Sequence, residues 1–151
     1  MRSHRTLLVF LIPVSLLLGA AREFLFLNLN YQIDHLARRS AFSYAHSVFQ
    51  RWTGGMDLDA LLRWKWGLAV AFIAAMWTLA ILTARVLVGD HRYLRVITLL
   101  FLAVAGLALM LHLTAVPALE AVSVKLLHAL QYPVVLVVLW VALRLRVRPV
   151  G

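Results

Sequence analysis

The fold of this chain is decided by the stretch 66–88, which reads WGLAVAFIAAMWTLAILTARVLV. Arg85 is its one charged residue, and roughly 20 apolar residues are enough for a helix to cross a bilayer core. Over all 151 residues, 64% are hydrophobic and 14% are charged. Soluble domains average roughly 45–50% and 25%. The composition therefore excludes a soluble globular enzyme and predicts a lipid-embedded chain.

Three further apolar stretches accompany the first. The four predicted spans are about 6–27, 66–88, 94–116 and 122–143. Helices are expected throughout, because lipid offers no hydrogen-bond partners to an open backbone. The sequence thus predicts an all-α integral membrane protein with four transmembrane helices in one membrane domain, 1–151. Pro13 and Pro133 lie inside the first and fourth spans, where each is expected to kink or break its helix.

The segment between the first two spans, about 31–53, is predicted to form an interfacial amphipathic helix. On a helical wheel its apolar face and its polar face separate. The apolar face holds Ala41, Phe42, Tyr44, Ala45, Val48, Phe49 and Trp52, and the polar face holds His35, Arg39, Ser43, His46 and Gln50. Gly54 and Gly55 are expected to end this helix, and Asp57 to cap the next one.

Charge distribution favours a topology with both termini in the cytoplasm. With the N-terminus inside, eight Lys and Arg residues lie inside and six outside, with Arg22 unassigned. We therefore expect a multi-pass protein of the bacterial inner membrane, with segment 31–53 on the outer side. An alternative is that residues 1–21 form a cleaved signal peptide ending in Gly19-Ala20-Ala21, which would leave three spans.

Several polar residues are predicted to meet near the outer leaflet. The candidates for a polar pocket are Arg22, Glu23, His112, Lys125, His128 and Gln131. Ionisable residues inside a span usually face a partner or a water-filled cavity. The alternative is that Arg22, Glu23 and Lys125 extend to the lipid headgroups and form no pocket.

Two of these residues also suggest a cofactor alternative. His112 and His128 are predicted on adjacent antiparallel helices at similar depth, where two imidazoles can ligate one b-type haem. The alternative is that each histidine hydrogen-bonds locally near the interface. No other metal site and no resident cofactor are predicted.

Small residues recur at helical spacing on two spans. Gly19 lies on one face of the first span, and Gly67, Ala71 and Ala75 lie on one face of the second. Small residues every four positions allow helices to approach closely. Packing within the chain and docking against a helix of a partner are both open interpretations.

Several functions are excluded or disfavoured by what the sequence lacks. There is no cysteine, so disulfides, thiolate metal sites and cysteine nucleophiles are excluded. No HExxH, GxSxG or phosphate-binding loop motif is present, and we predict a protein that is not an enzyme. The net charge of +9 is read as topology and attraction to anionic headgroups, with no nucleic-acid partner.

The layout resembles that of small membrane proteins associated with exosortases in Bacteroidota. The similar elements are Arg22 near the end of the first span, the aromatic–acidic segment 31–34 (YQID), and the basic entry to a Gln–Pro element at 125–133 (KLLHALQYP). Two departures are Tyr132, an extra residue between Gln131 and Pro133, and His35, where the family has proline. The resemblance implies a role beside an exosortase, without its catalytic Cys/His/Arg set.

The predicted function is therefore that of a non-catalytic accessory protein in an exosortase-type system for envelope protein sorting or exopolysaccharide export. Its expected partners are membrane lipids and a membrane protein, either an exosortase or an export component. Two alternatives remain open: a haem- or quinone-binding subunit of an electron-transfer complex, and a small oligomeric transporter.

Overall fold

The structure is a computed structural model that describes residues 2–88, 92–133, 136–138 and 141. Within this part of the chain all regular structure is helical and there is no strand. The elements in order are α1 (Arg2–Arg38), α2 (Ser47–Thr53), α3 (Leu58–Val88), α4 (Arg92–Leu113) and α5 (Pro117–Gln131). The prediction of an all-α protein is confirmed.

Three of these helices are long and apolar enough to cross a membrane. Their candidate spans are Phe10–Arg38, Leu58–Val86 and Tyr93–Leu113. They include most of each of the first three predicted spans. α1 continues without interruption through Pro13 and through the charged pair Arg22-Glu23.

The fourth predicted span, 122–143, differs from a single continuous helix. α5 has 15 residues and ends at Gln131, where Tyr132 turns to an extended conformation. Pro133 has no N–H to continue the helical ladder, which explains the break. Beyond it the Val137 N–H donates to the Pro133 carbonyl at 3.1 Å, so helical bonding resumes. Residues 134–135, 139–140 and 142–143 of this predicted span lie outside the described residues.

The predicted amphipathic helix over 31–53 is wrong in its extent. Residues up to Arg38 continue α1, the chain at 39–46 is not helical, and only Ser47–Thr53 forms the short helix α2. Side chains of α1 replace helical bonds in the irregular segment: Asn28 accepts from the His46 N–H, and Gln32 accepts from the Ser43 hydroxyl. The wheel could not anticipate these partners, because Asn28 lies outside the segment and Gln32 belongs to the part of it that continues α1.

The residues 28–61 form what we call the cap, in which this segment folds back on α1. Its core is a cluster of buried side chains from three helices and the segment between α1 and α2: Leu29, Ala45, Phe49 and Leu61. α2 ends at Thr53, and Gly55 then adopts a left-handed φ of 87°. Asp57 accepts from the Ala60 N–H at 2.7 Å, which confirms the predicted cap of α3.

α3 lies at the centre of the described bundle. It packs against α1 on one side and against α4 and α5 on the other, and α4 packs mainly on α5. The main core combines Met76 and Ala80 of α3 with Phe101 of α4 and Leu130 of α5. A buried bond from the Ser123 hydroxyl to the Ala108 carbonyl, 2.7 Å long, holds α5 to α4. Because α1 and α5 both pack against α3, polar side chains of α1 and α5 can reach each other.

Candidate functional site: the Arg22 cluster

Arg22 is a buried cation at the junction of α1, α3 and α5. Its exposed fraction is 3%, although it lies in the middle of an apolar helix. Its Nε donates to Gln131 Oε1 at 3.0 Å, and its Nη1 donates to Glu23 Oε2 at 3.0 Å. The same Nη1 donates to the Tyr132 hydroxyl at 3.1 Å. We call Arg22, Glu23, Gln131 and Tyr132 the Arg22 cluster.

Aromatic rings enclose the guanidinium of Arg22. Its central carbon lies 4.7 Å from the centroid of Phe26 and 4.8 Å from that of Tyr132. Phe26 follows Arg22 by four residues, so the two side chains lie on one face of α1. A cation is attracted to the face of an aromatic ring, most strongly where water is excluded. The rings therefore offset part of the cost of burying this charge.

Glu23 supplies the opposite charge at the edge of the cluster. Its carboxylate accepts from the Tyr132 hydroxyl as well as from Arg22. Its side chain is 58% exposed, in contrast to the buried guanidinium. The ion pair thus has one buried and one accessible partner. An ion pair in this arrangement loses less hydration than a fully buried one.

Gln131 links the cluster to the central helix. It is almost completely buried, and its Nε2 donates to the Ala69 carbonyl of α3 at 3.4 Å while its Oε1 accepts from Arg22. The end of α5 at Gln131 and the turn at Tyr132 place both side chains toward α1. Side chains near the two ends of the chain are joined in this way over more than 100 residues of sequence.

α1 also lies close to this turn at Gly19. A Cβ added to Gly19 would lie 3.3 Å from Pro133 Cδ, so the proline ring packs directly on the glycine. Gly19 precedes Glu23 by four residues and shares its face of α1. The absence of a side chain at Gly19 is what allows the turn to come close enough for the hydrogen bonds of the cluster.

One donor of the cluster has no acceptor. Arg22 Nη2 is buried and makes no hydrogen bond within the described part of the chain. Leaving a buried donor unpaired costs about 1–3 kcal/mol, and more for a charged group. This unpaired N–H is therefore the chemically notable feature of the site.

The structure brings together some of the predicted pocket residues and separates others. Arg22, Glu23 and Gln131 are in direct contact. His128 is adjacent, with its ring centroid 6.4 Å from that of Tyr132. Lys125 is exposed, and no ion pair or hydrogen bond to it is found among the described residues. His112 is in another place: its ring packs 5.2 Å from that of Trp66.

The two histidines considered as haem ligands have different ring partners, Trp66 for His112 and Tyr132 for His128. His112 Nδ1 lies 3.8 Å from Glu120 Oε1, near the start of α5. His128 comes eight residues later on that helix, about 12 Å along its axis. No contact between the two rings is found among the described side chains, and their assignment as a haem-ligand pair stays a prediction.

Three contributors to the site were not predicted as site residues: Phe26, Lys65 and Tyr132. Phe26 had a usable signal in its i,i+4 spacing from Arg22. Lys65 stands between Trp64 and Trp66 and precedes Ala69 by one helical turn, which places it on the α3 face toward the cluster. The ring position of Tyr132 depends on the chain break at Pro133 and had no clear sequence signal.

The predicted docking residues also divide into two groups. Gly19 is buried under Pro133 within this chain. Gly67 and Ala71 are exposed, and within the described ranges a Cβ at Gly67 would meet nothing within 4 Å. Ala75 is half-buried, whereas Ala74 and Thr78 are exposed. The exposed stripe of α3 contains Gly67, Val70, Ala71, Ala74, Thr78 and Leu82, and we call its four small residues, Gly67, Ala71, Ala74 and Thr78, the α3 small face.

No family model matches this chain, and neither a curated protein nor a solved structure shows significant similarity to it. Among the described side chains, no three His, Asp or Glu residues are close enough to hold a metal ion.

Proposed function

We propose that this chain is a non-catalytic accessory protein of the bacterial inner membrane that docks against a transmembrane helix of another protein. The observation behind the proposal is the open α3 small face on the helix that is otherwise the most central of the bundle. Gly67, Ala71, Ala74 and Thr78 follow at intervals of four, three and four residues, which keeps them on one side of α3.

A helix is a suitable occupant of this surface. In lipid, helices associate through close packing of small residues, because hydrocarbon offers no hydrophobic driving force between them. The small face on α1 is already used in this way, since Gly19 contacts the ring of Pro133. The corresponding surface on α3 also contains a glycine, Gly67, and nothing in the described part of the chain lies within 4 Å of a Cβ placed there.

The polar groups of the chain support a binding role over a catalytic one. The hydrogen bonds of Arg22, Glu23, Gln131 and Tyr132 are directed at one another. A site of this kind stabilises an arrangement of helices. The resemblance to exosortase-associated proteins rests on short sequence elements, and it makes a membrane protease of the exosortase class the first partner to test.

We also propose a fourth span and a cytoplasmic location for both termini. Resumption of helical bonding at Val137 supports a second half of the fourth span after the turn at Pro133. The excess of positive residues on the N-terminal side supports the orientation. The variants Ser3→Cys and Ser47→Cys, each treated with a membrane-impermeant thiol reagent, test this orientation. Labelling of the Ser3→Cys variant in intact cells would contradict it.

Photo-crosslinking in native membranes tests the docking proposal. A photoreactive amino acid at Ala74 should crosslink to a specific second membrane protein, and Gly67→Leu should abolish that crosslink while leaving the protein inserted. The matched control is Leu62→Phe, at a position that is also exposed on α3 but lies on another side of the helix, about 140° from Gly67.

Two other outcomes would overturn the proposal. Crosslinks that join only copies of this chain would assign the small face to self-association. Crosslinks that reach lipid alone would show that no helix covers it.

A further inference from the structure

We propose that the Arg22 cluster and the neighbouring apolar groove hold one anionic phospholipid, with its phosphate at the charged end and an acyl chain in the groove. This inference goes beyond the docking role and does not depend on the α3 small face.

The apolar groove begins where Gly19 meets Pro133. It has a volume of about 260 Å³, and its walls come from α1, α3 and the segment after Pro133. Apolar lining is provided by Leu11, Leu16, Leu136 and Val137. The two hydroxyls in the wall are already used, because Ser15 donates to the Ile12 carbonyl and Thr83 to the Leu79 carbonyl. The groove therefore offers packing to a hydrocarbon chain and no free polar group.

The groove and the cluster form one continuous strip along α1. Ile12, Ser15, Gly19 and Glu23 follow at intervals of three or four residues and share a face of the helix. Ile12 and Glu23 are separated by about 16 Å along the axis. Half of a bilayer's hydrocarbon core is about 15 Å deep. A lipid whose head lies beside Glu23 can thus extend one acyl chain to the far end of the groove.

The charges at the upper end favour an anionic head. Arg22, Glu23 and Lys65 all lie close enough to the His128 ring to interact with it electrostatically. Lys125, exposed one turn before His128, lies on the same face of α5. Arg22 and Lys65 together outnumber the single carboxylate of Glu23, so the sum of these charges is positive even with His128 neutral.

The depth of these groups agrees with a headgroup position. Trp64 and Trp66 flank Lys65, both are half-exposed, and tryptophan is enriched at the level of the headgroups. Gln131 contacts α3 at Ala69, one turn further along the helix. The cluster therefore lies at the boundary between headgroups and hydrocarbon.

The unpaired Arg22 Nη2 provides the specific recognition element. A phosphate oxygen is a strong acceptor for a guanidinium N–H. The rings of Phe26 and Tyr132 border the guanidinium, and the proposal includes a movement of one of them that opens Nη2 to the phosphate. Phosphate would then complete the hydrogen bonding of a group that the chain leaves unsatisfied.

Thermal unfolding of the purified full chain in a neutral detergent tests the proposal. Phosphatidylglycerol should raise the Tm in a saturable way, because a ligand that binds only the folded state stabilises it by mass action. Phosphatidylcholine with the same acyl chains, and inorganic phosphate alone, should raise it far less. Equal shifts with phosphatidylcholine would overturn the role of charge, and equal shifts with phosphate would overturn the role of the groove.

Variants at both ends of the site complete the test without disturbing the buried Arg22. Lys65→Gln should weaken the apparent affinity for phosphatidylglycerol about fivefold, as for one basic residue at an anionic membrane surface. Leu16→Trp should remove most of the shift by filling the groove. The matched controls, Arg63→Gln and Leu17→Trp, change exposed residues outside the site and should retain it. If the controls lose the shift as fully as the site variants, the lipid is not bound here.

Discussion

Gly19 of α1 and Gly67 of α3 have the same residue type on long apolar helices, but their surroundings are opposite. Gly19 is covered by the ring of Pro133, and a Cβ there would approach it to 3.3 Å. At Gly67, no described residue lies within 4 Å of the same position. The comparison shows that a small residue in a span allows another part of a protein to approach the helix closely, but does not identify that part. On α1 the approach is internal and assembles the Arg22 cluster, whereas on α3 the surface remains open.

The largest effect on the free energy of unfolding is expected at the Arg22 cluster, whose polar contacts join α1 to α5. Arg22→Met should destabilise the chain by about 2–4 kcal/mol, because the buried Gln131 loses its charged donor and cannot recover one from water. Glu23 is exposed and contributes less of the loss. Unfolding of the purified protein in detergent measures the change.

Arg63→Met is the control for this variant, since Arg63 is exposed on α3. Equal stability of both variants and the original chain would contradict a role for the Arg22 cluster in joining α1 to α5.

The two glycines themselves give the next prediction. Gly19→Leu should cost about 1–3 kcal/mol by overpacking against Pro133. Gly67→Leu should leave the stability of the isolated protein nearly unchanged, since its side chain meets no neighbour. The same unfolding measurement compares them directly. A loss at Gly67 as large as that at Gly19 would show that the α3 small face is covered within the single chain.

The smallest effect is a stabilising substitution at Ala115. A more stable chain would make the Gly19→Leu and Gly67→Leu variants easier to purify and compare. Ala115 follows α4 with a φ of 55°, a left-handed conformation that costs a residue with a Cβ roughly 1–2 kcal/mol. Ala115→Gly should raise stability by about 0.5–1 kcal/mol after the greater flexibility of glycine in the unfolded chain is subtracted. Ala118→Gly, inside α5, is the control and should destabilise. A loss of stability from Ala115→Gly would indicate that this turn is not strained.

Much of the helical framework could be predicted from apolar runs and end signals. Trp66–Val88 required a spanning helix by length and composition, and Asp57 marked its cap. The segment 31–53 shows the limit of such patterns. Its wheel was amphipathic, but Asn28 and Gln32 of α1 provide partners for residues 43 and 46 and hold this segment out of a helix.

The candidate site was predictable to a similar degree. Arg22, Glu23 and Gln131 are polar residues within apolar stretches. Because burying a polar group without a hydrogen bond costs free energy, they were expected to have partners. The pairing itself was not available from local spacing. His112 and His128 were expected to meet, whereas in the described structure their rings pack against Trp66 and Tyr132 respectively.

The sequence by itself determined that this chain is apolar and helical, with stretches long enough to cross a membrane. These properties depend on the length of each apolar stretch and on the lack of backbone hydrogen-bond partners in lipid. Only the tertiary structure decided that Arg22 meets Gln131 and Tyr132, that Gly19 is covered and that Gly67 is open. Contacts between helices depend on how faces distant in sequence are brought together. A period of 3.6 residues specifies that a face exists, but it does not specify which other face will lie against it.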